Sequence, residues 1–227
     1  MNWNKHSDLR GTHALFSPSQ PSWLRYDDEQ IQTRVRNQYR AALGTELHEF
    51  VATQILLRHK ATNIRGLMSG MENYVFTKYK CLEPDSKLAG YGMVLMRQIG
   101  TLPTEVFETA KHYINDGIGY RMQVEQPLVY SEFIFGTADT ISFRDGVLRI
   151  HDYKSGDGPV HMDQLIIYAA LFCLEYMIKP RDIKVELRIY QAGEVVVHEP
   201  SSEELEDIMD HIINTNRYVE KLKAKEE

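Results

Sequence analysis

The chain has 227 residues, 43% of them hydrophobic and 26% charged, with a formal charge of -6. That length can bury a sizeable core, the composition is ordinary for a soluble globular protein, and the net acidity argues against broad electrostatic adhesion to nucleic acid while leaving room for a local basic groove. Two cysteines, Cys81 and Cys173, exclude a disulfide framework and a four-cysteine cluster and fit a reducing compartment.

Residues 1–27 are polar and turn-rich, with Ser17-Pro18 and Gln20-Pro21, and predict an extended or irregular N-terminal segment. It contains no apolar run of signal-peptide type, and no later stretch reaches the length of a membrane span, so a soluble cytoplasmic protein is expected. Residues 28–227 are expected to form one domain, with a helical half over 28–118 and a sheet-bearing half over 119–227. Ile31, Val35, Tyr39, Leu43, Leu47, Val51 and Ile55 recur every four residues, which predicts a helix capped by Asp27 or Asp28. Further helices are expected over 66–80 and 104–116, the second closed by Gly117.

The second half opens on a strand-like run in which Pro127 indicates an edge or a bulge. Two apolar runs then flank Asp145-Gly146, a strong hairpin signal because a type I′ turn needs positive φ at both central residues. "MDQLIIYAALFCLEYMI" is apolar on nearly every side and predicts a buried helix. Two more strands follow around Ala192-Gly193, and a last helix begins near Ser201, whose Ser-x-x-Glu start fits a capping box.

The hairpin turn fixes a register. It pairs Arg144 with Val147, Phe143 with Leu148, Ile141 with Ile150, and Asp139 with Asp152. Like charges directly opposite destabilise a sheet, so something must offset the repulsion. Lys154 shares the face of Asp152, and a hard divalent cation bound through one or two carboxylates would stabilise the pair. A surface ion pair is the bland alternative.

Gly136-x-x-Asp139, Asp152-x-Lys154 and Gln164-x-x-x-Tyr168, preceded by Gly44 and His48 in "LGTELHEF", together resemble the PD-(D/E)XK nuclease superfamily, specifically its RecB-like branch. The resemblance spans His48 to Tyr168, and "VELRIYQAG" is similar to the strand that follows in such nucleases. It implies an α/β, restriction-endonuclease-like core, a mixed central sheet flanked by helices, with a helical N-terminal part. It further implies that Asp139 and Asp152 hold Mg²⁺ or Mn²⁺ with His48 and the Tyr153 backbone carbonyl, with Glu125 a weaker candidate for a second metal. Lys154 would orient the attacking water or stabilise the phosphate in flight, and Gln164 and Tyr168, four apart on a helix, would meet the DNA backbone. His151 alternates to the other face, and a structural or solvent role is expected for it and for His161. Glu49 points elsewhere on its helix.

These expectations define a metal-dependent deoxyribonuclease without an iron-sulphur cluster, an exonuclease of recombination, repair or phage replication rather than an endonuclease. The compact size resembles stand-alone phage or prophage enzymes, which would act in the bacterial host's cytoplasm. DNA is the expected partner, with a single-strand annealing or binding protein, a helicase and a second copy of the chain as further candidates; a Walker-type phosphate loop is absent, so any unwinding must come from another protein. The competing readings are a catalytically silent nuclease-fold module that binds nucleic acid or a partner protein, and a metal hydrolase of small phosphoesters.

Overall fold

A computed structural model describes residues 14–80, 89–156 and 158–226. Residues 1–13 of the expected N-terminal segment, and Cys81, lie outside the described residues. The chain divides into two compact units, the first ending at Thr45 and the second covering Glu46–Glu227. In the first, a 3-10 turn at Pro21–Arg25 precedes the start of α1 (Asp28–Leu56). Of the two possible caps Asp27 is used. Its carboxylate accepts from Gln30 N at 2.8 Å and its own N–H donates to the Gln30 side chain at 3.0 Å, a reciprocal capping box.

The four-residue stripe on α1 is buried from Leu43 onward, through Leu47, Val51 and Ile55, while Ile31 is exposed. In the second unit the C-terminal half of α1 is followed by α2 (Ile64–Lys80), α3 (Ala89–Ile99) and α4 (Thr104–Gly119). The expected stop at Gly117 does not occur. Gly117 is interior to α4, and a Cβ there would meet Ile55 at 2.7 Å, so this glycine serves close packing rather than capping. The chain leaves the helix at Arg121, which takes the left-handed φ of 53°. Helix α3 forms where no helix is expected from the residues alone.

The sheet has five strands in sequence order: β1 (Gln123–Val129), β2 (Phe135–Arg144), β3 (Val147–Lys154), β4 (Lys184–Gln191) and β5 (Glu194–His198). β3 and β4 are parallel and every other neighbouring pair is antiparallel, which makes this the expected α/β architecture with a mixed sheet. The parallel pair requires a crossover, supplied by α5 (Asp163–Glu175). Both turns follow their glycines: φ is 52° and 72° at Asp145 and Gly146, and 50° and 81° at Ala192 and Gly193. Pro127 sits in β1, an edge strand, where a missing N–H costs no ladder bond.

Helix α4 packs on β3 and β4, and α5 packs on β1 through β4 and on α6 (Ser202–Glu226). The α5 side holds Leu128, Ala138, Leu148, Ile150, Ala169 and Leu187 in one apolar cluster; the α4 side holds Tyr113, Tyr153 and Tyr190, all fully buried. Ser201 caps α6 as its motif predicts, its Oγ accepting from Glu204 N at 3.0 Å. β5 departs from the alternating expectation, since Val195, Val196 and Val197 are all exposed on an outer strand. Among the described residues no helix is long and apolar enough to cross a membrane.

Helices α2 and α3 meet at Gly92, where an added Cβ would stand 2.5 Å from Tyr79 Cβ, an atom fixed to its own backbone. Gly92→Ala should therefore destabilise the protein by about 1–3 kcal/mol through overpacking, against the helix propensity alanine would otherwise contribute. Urea unfolding of the two proteins would show a lower midpoint with an unchanged slope.

Candidate active site

The type I′ turn at Asp145-Gly146 sets the β2–β3 register, which runs as expected from Arg144↔Val147 to Thr140↔His151. Pairing stops there. Asp139 and Asp152 lie one step beyond, at the open end of the hairpin. On its other flank, the β1–β2 ladder passes from Val124↔Thr140 to Gln126↔Ala138 and skips Glu125 and Asp139, where Glu125 has a left-handed φ of 50°. Asp139 therefore sits at a break in pairing on both sides. Such breaks re-aim side chains, and here the Asp139 carboxylate accepts from the backbone N–H of Tyr153 at 3.3 Å.

The neighbours of the two carboxylates are complementary to them. Lys154 Nζ donates to Asp152 Oδ1 at 3.0 Å and lies 2.9 Å from Oδ2. Oδ2 is buried and has no neighbouring donor other than this ammonium. Asp152 is only 5% exposed. His48 comes from α1 and places Nδ1 3.5 Å from Asp139 Oδ2, with its ring edge-on to Tyr153 at 5.3 Å between centroids.

Burial, and then the Asp152 charge, push the Asp139 carboxyl up to about 7; the Tyr153 N–H pulls the other way, and Glu125 adds to the rise. Burial also lowers His48 below its ordinary value, with Asp152 opposing and Lys154 assisting. Near neutral pH the site thus holds a proton on Asp139 in part of the molecules and presents an uncharged imidazole beside it. The uncharged imidazole suits a site that binds a cation, because ligands must be free of protons, and the Asp139 proton is one that loading would have to release.

The chain also brings Gln164, Tyr168 and Gly136 together. Gln164 Nε2 donates to Tyr168 OH at 3.3 Å, and the Tyr168 ring lies where a Cβ on Gly136 would meet it at 2.8 Å. The glycine of the Gly-x-x-Asp pattern is therefore the space that seats this tyrosine. Glu125 is exposed and acts on Asp139 through its charge. His161 is exposed on the loop before α5.

His151 lies on the opposite face, fully buried, with Nδ1 3.2 Å from Tyr190 OH. Burial, with Arg188 and Arg149, pushes it down to about 3, so it stays neutral. Tyr190 OH donates to Asp116 at 2.7 Å, and Arg188 binds the same carboxylate at 2.9 Å. This polar layer supports β3 from behind.

A second network, invisible in the sequence, holds the helix that carries His48. Lys78 on α2 reaches both oxygens of the buried Glu46 at 3.0 and 2.9 Å and also binds Glu49. Tyr79 donates to Glu46 at 2.9 Å and Tyr74 to Glu49 at 2.8 Å. Burial would lower Lys78, but these hydrogen bonds hold it above its usual range. The contacts fix α1 on α2 at the turn that carries His48. The only available signal was the Glu46/Glu49 spacing, which does not name a partner some thirty residues away.

Among the described residues no three His, Cys, Asp or Glu side chains already converge as a metal cluster; the Lys154 ammonium stands against Asp152 instead. The donor set nevertheless fits a hard or borderline divalent ion, with two carboxylates, one of them holding a buried oxygen whose one neighbouring donor is the Lys154 ammonium, and a neutral imidazole.

The fold is thus a mixed α/β sheet whose candidate site lies at the open end of its central hairpin. The chain belongs to the family described as protein of unknown function (DUF2800), whose model matches residues 13–222. No curated protein matches the sequence.

The raised Asp139 has a thermodynamic consequence. Its folded value of about 7 exceeds the ordinary 3.8, so the folded protein binds more protons between those pH values and loses stability as pH rises through them. Asp139→Asn should remove the loss, making the metal-free protein more stable than wild type at pH 8 by about 2–4 kcal/mol and leaving the difference near zero at pH 4. Denaturant titrations at the two pH values measure it.

Proposed function

We propose that this protein is a metal-dependent deoxyribonuclease, acting as an exonuclease. The observation that carries the reading is the placement of Asp139 and Asp152 side by side at the open end of the hairpin, with Lys154 on one and His48 on the other. Two like-charged groups held this close without a cation are a cost to the sheet, and a catalytic role accounts for it. The resemblance to RecB-like PD-(D/E)XK nucleases, carried by the same residues, supports the substrate class.

In this mechanism Asp139, Asp152, His48 and the Tyr153 carbonyl would hold Mg²⁺ or Mn²⁺. The ion would supply Lewis-acid polarisation of the phosphoryl oxygen and a more acidic water. Asp139 gives up its proton as the site loads. Lys154, already oriented by Asp152, aligns the attacking water and balances charge developing on the phosphate. The water oxygen forms a bond to phosphorus as the bond from phosphorus to the 3′ oxygen breaks, leaving a 5′-phosphate and a 3′-hydroxyl. Gln164 and Tyr168 hold the neighbouring backbone.

End-labelled linear and closed circular DNA, single- and double-stranded, incubated with Mn²⁺, Mg²⁺ or EDTA, tests this directly. Linear DNA should be degraded only with metal and circles should persist. Asp152→Ala and Lys154→Ala should each reduce the rate by about 10²-fold or more. Binding without cutting under any metal would instead favour a silent nuclease-fold module, and hydrolysis confined to free nucleotides a small-phosphoester hydrolase.

Gly136→Val offers a more local check. The added methyls displace Tyr168 from its seat, so DNA affinity and rate should both fall while the metal-dependent rise in melting temperature persists. A loss of that metal response would place the Gly136 contact inside the metal site rather than beside it.

A further inference from the structure

Helix α5 continues past Tyr168 as a stripe of aromatic residues that the candidate active site does not use. Gln164, Tyr168, Phe172 and Tyr176 are spaced by four, so they lie along one face. Phe172 and Tyr176 rings are 4.9 Å apart, and Phe172 is 5.3 Å from Phe143 on β2. These three rings line a cavity of about 210 Å³ at the edge of the sheet. Phe143 and Tyr176 are 41% and 50% exposed, so they offer ring surface to an occupant.

The cavity exists because β1 begins at Gln123, opposite Ile141, leaving Ser142 to Arg144 with no partner on that side. The left-handed turn at Arg121 takes the chain away from the ladder there. Two guanidinium groups, Arg121 and Arg144, border the opening. Among the described residues neither makes an ion pair or hydrogen bond.

We propose that this cavity binds a nucleotide, its base against the Phe143, Phe172 and Tyr176 wall and its phosphate on Arg121 and Arg144. Each part of the lining matches one part of that ligand. Aromatic faces stack on any base, arginine forks suit phosphate oxygens, and the volume is below that of a pocket for a drug-sized ligand. The proposal rests on the nuclease reading for the source of the nucleotide. Tyr168 and Tyr176 are separated by about 12 Å along the helix, so the stripe leads from the proposed cleavage site to the cavity. The occupant is then an unpaired nucleotide of the substrate strand, held a short way from the bond that is cut; a free nucleoside monophosphate shares its chemistry.

The test is binding by the full-length protein in EDTA, where no cutting occurs, using a labelled oligothymidylate of about a dozen nucleotides, with dTMP and inorganic phosphate as competitors. Arg121→Ala combined with Arg144→Ala should weaken oligonucleotide binding about tenfold or more and lower the salt slope by about 0.7, the contribution of the one phosphate that the two arginines share on a single strand. Tyr176→Ala, at an exposed ring, should weaken it about fivefold or more. Competition by millimolar dTMP but not phosphate, lost in the arginine variant, would assign the site to free nucleotides; affinity only for the oligonucleotide would assign it to the strand. Variants that bind like wild type, or phosphate competing as well as dTMP, would overturn the proposal. Because cleavage is not the readout, failure here leaves the nuclease assay to stand alone, and an inactive protein that still shows these losses would retain the site without the nuclease.

Discussion

The confinement of two carboxylates at one end of a hairpin is the constraint on which the surrounding structure depends. The turn at Asp145-Gly146 leaves no freedom in register, so Asp139 and Asp152 must approach each other however unfavourable that is. The protein meets this by separate means on each side. Asp152 receives a lysine two residues along its own strand. Asp139 receives a main-chain N–H, an imidazole and, near neutrality, a proton. The asymmetry is physically sensible, since burial and then the neighbouring Asp152 charge both favour the neutral form of Asp139.

β3 separates two kinds of polar chemistry by simple alternation. Its Asp152 side faces the site. Its His151 side faces a closed network of Tyr190, Asp116, Arg188 and Tyr120, where the Tyr120 ring also lies under both Arg149 and Arg188. One face carries a buried carboxylate oxygen whose one neighbouring donor is the Lys154 ammonium, and the other satisfies nearly every polar group it holds, the His151 Nε2 excepted. A network so nearly satisfied rigidifies what it supports, and here it supports the strand that must hold Asp152 in place.

Much of this was legible from residues alone. Asp-Gly announced the hairpin, alternation put His151 on the far side from Asp152, and the Ser-x-x-Glu signal marked the start of α6. The omissions have physical causes. Helix α3 is hidden because Gly92 reads as a helix breaker when its actual service is to let Tyr79 approach. Gly117 reads as a terminator for the same reason: a glycine kept for packing and one kept for φ are identical in a sequence. The break at Glu125 leaves no trace because a left-handed non-glycine residue has no compositional mark, and the Glu46–Lys78 link joins two helices that each look complete. The fold class was therefore accessible, whereas the supports of the site depend on contacts between elements that local pattern does not encode.

His48 and Asp139 are some ninety residues apart in the chain, whereas Asp139 and Asp152 are joined by a two-residue turn. Closing the short loop costs far less chain entropy than closing the long one, and local hairpins form on the microsecond scale. The two acidic groups thus come together early as the polypeptide collapses, and the imidazole arrives only when the helical half has docked. A chain arrested part-way holds the two carboxylates without their imidazole neighbour, so the assembly of this site is coupled to completion of folding itself.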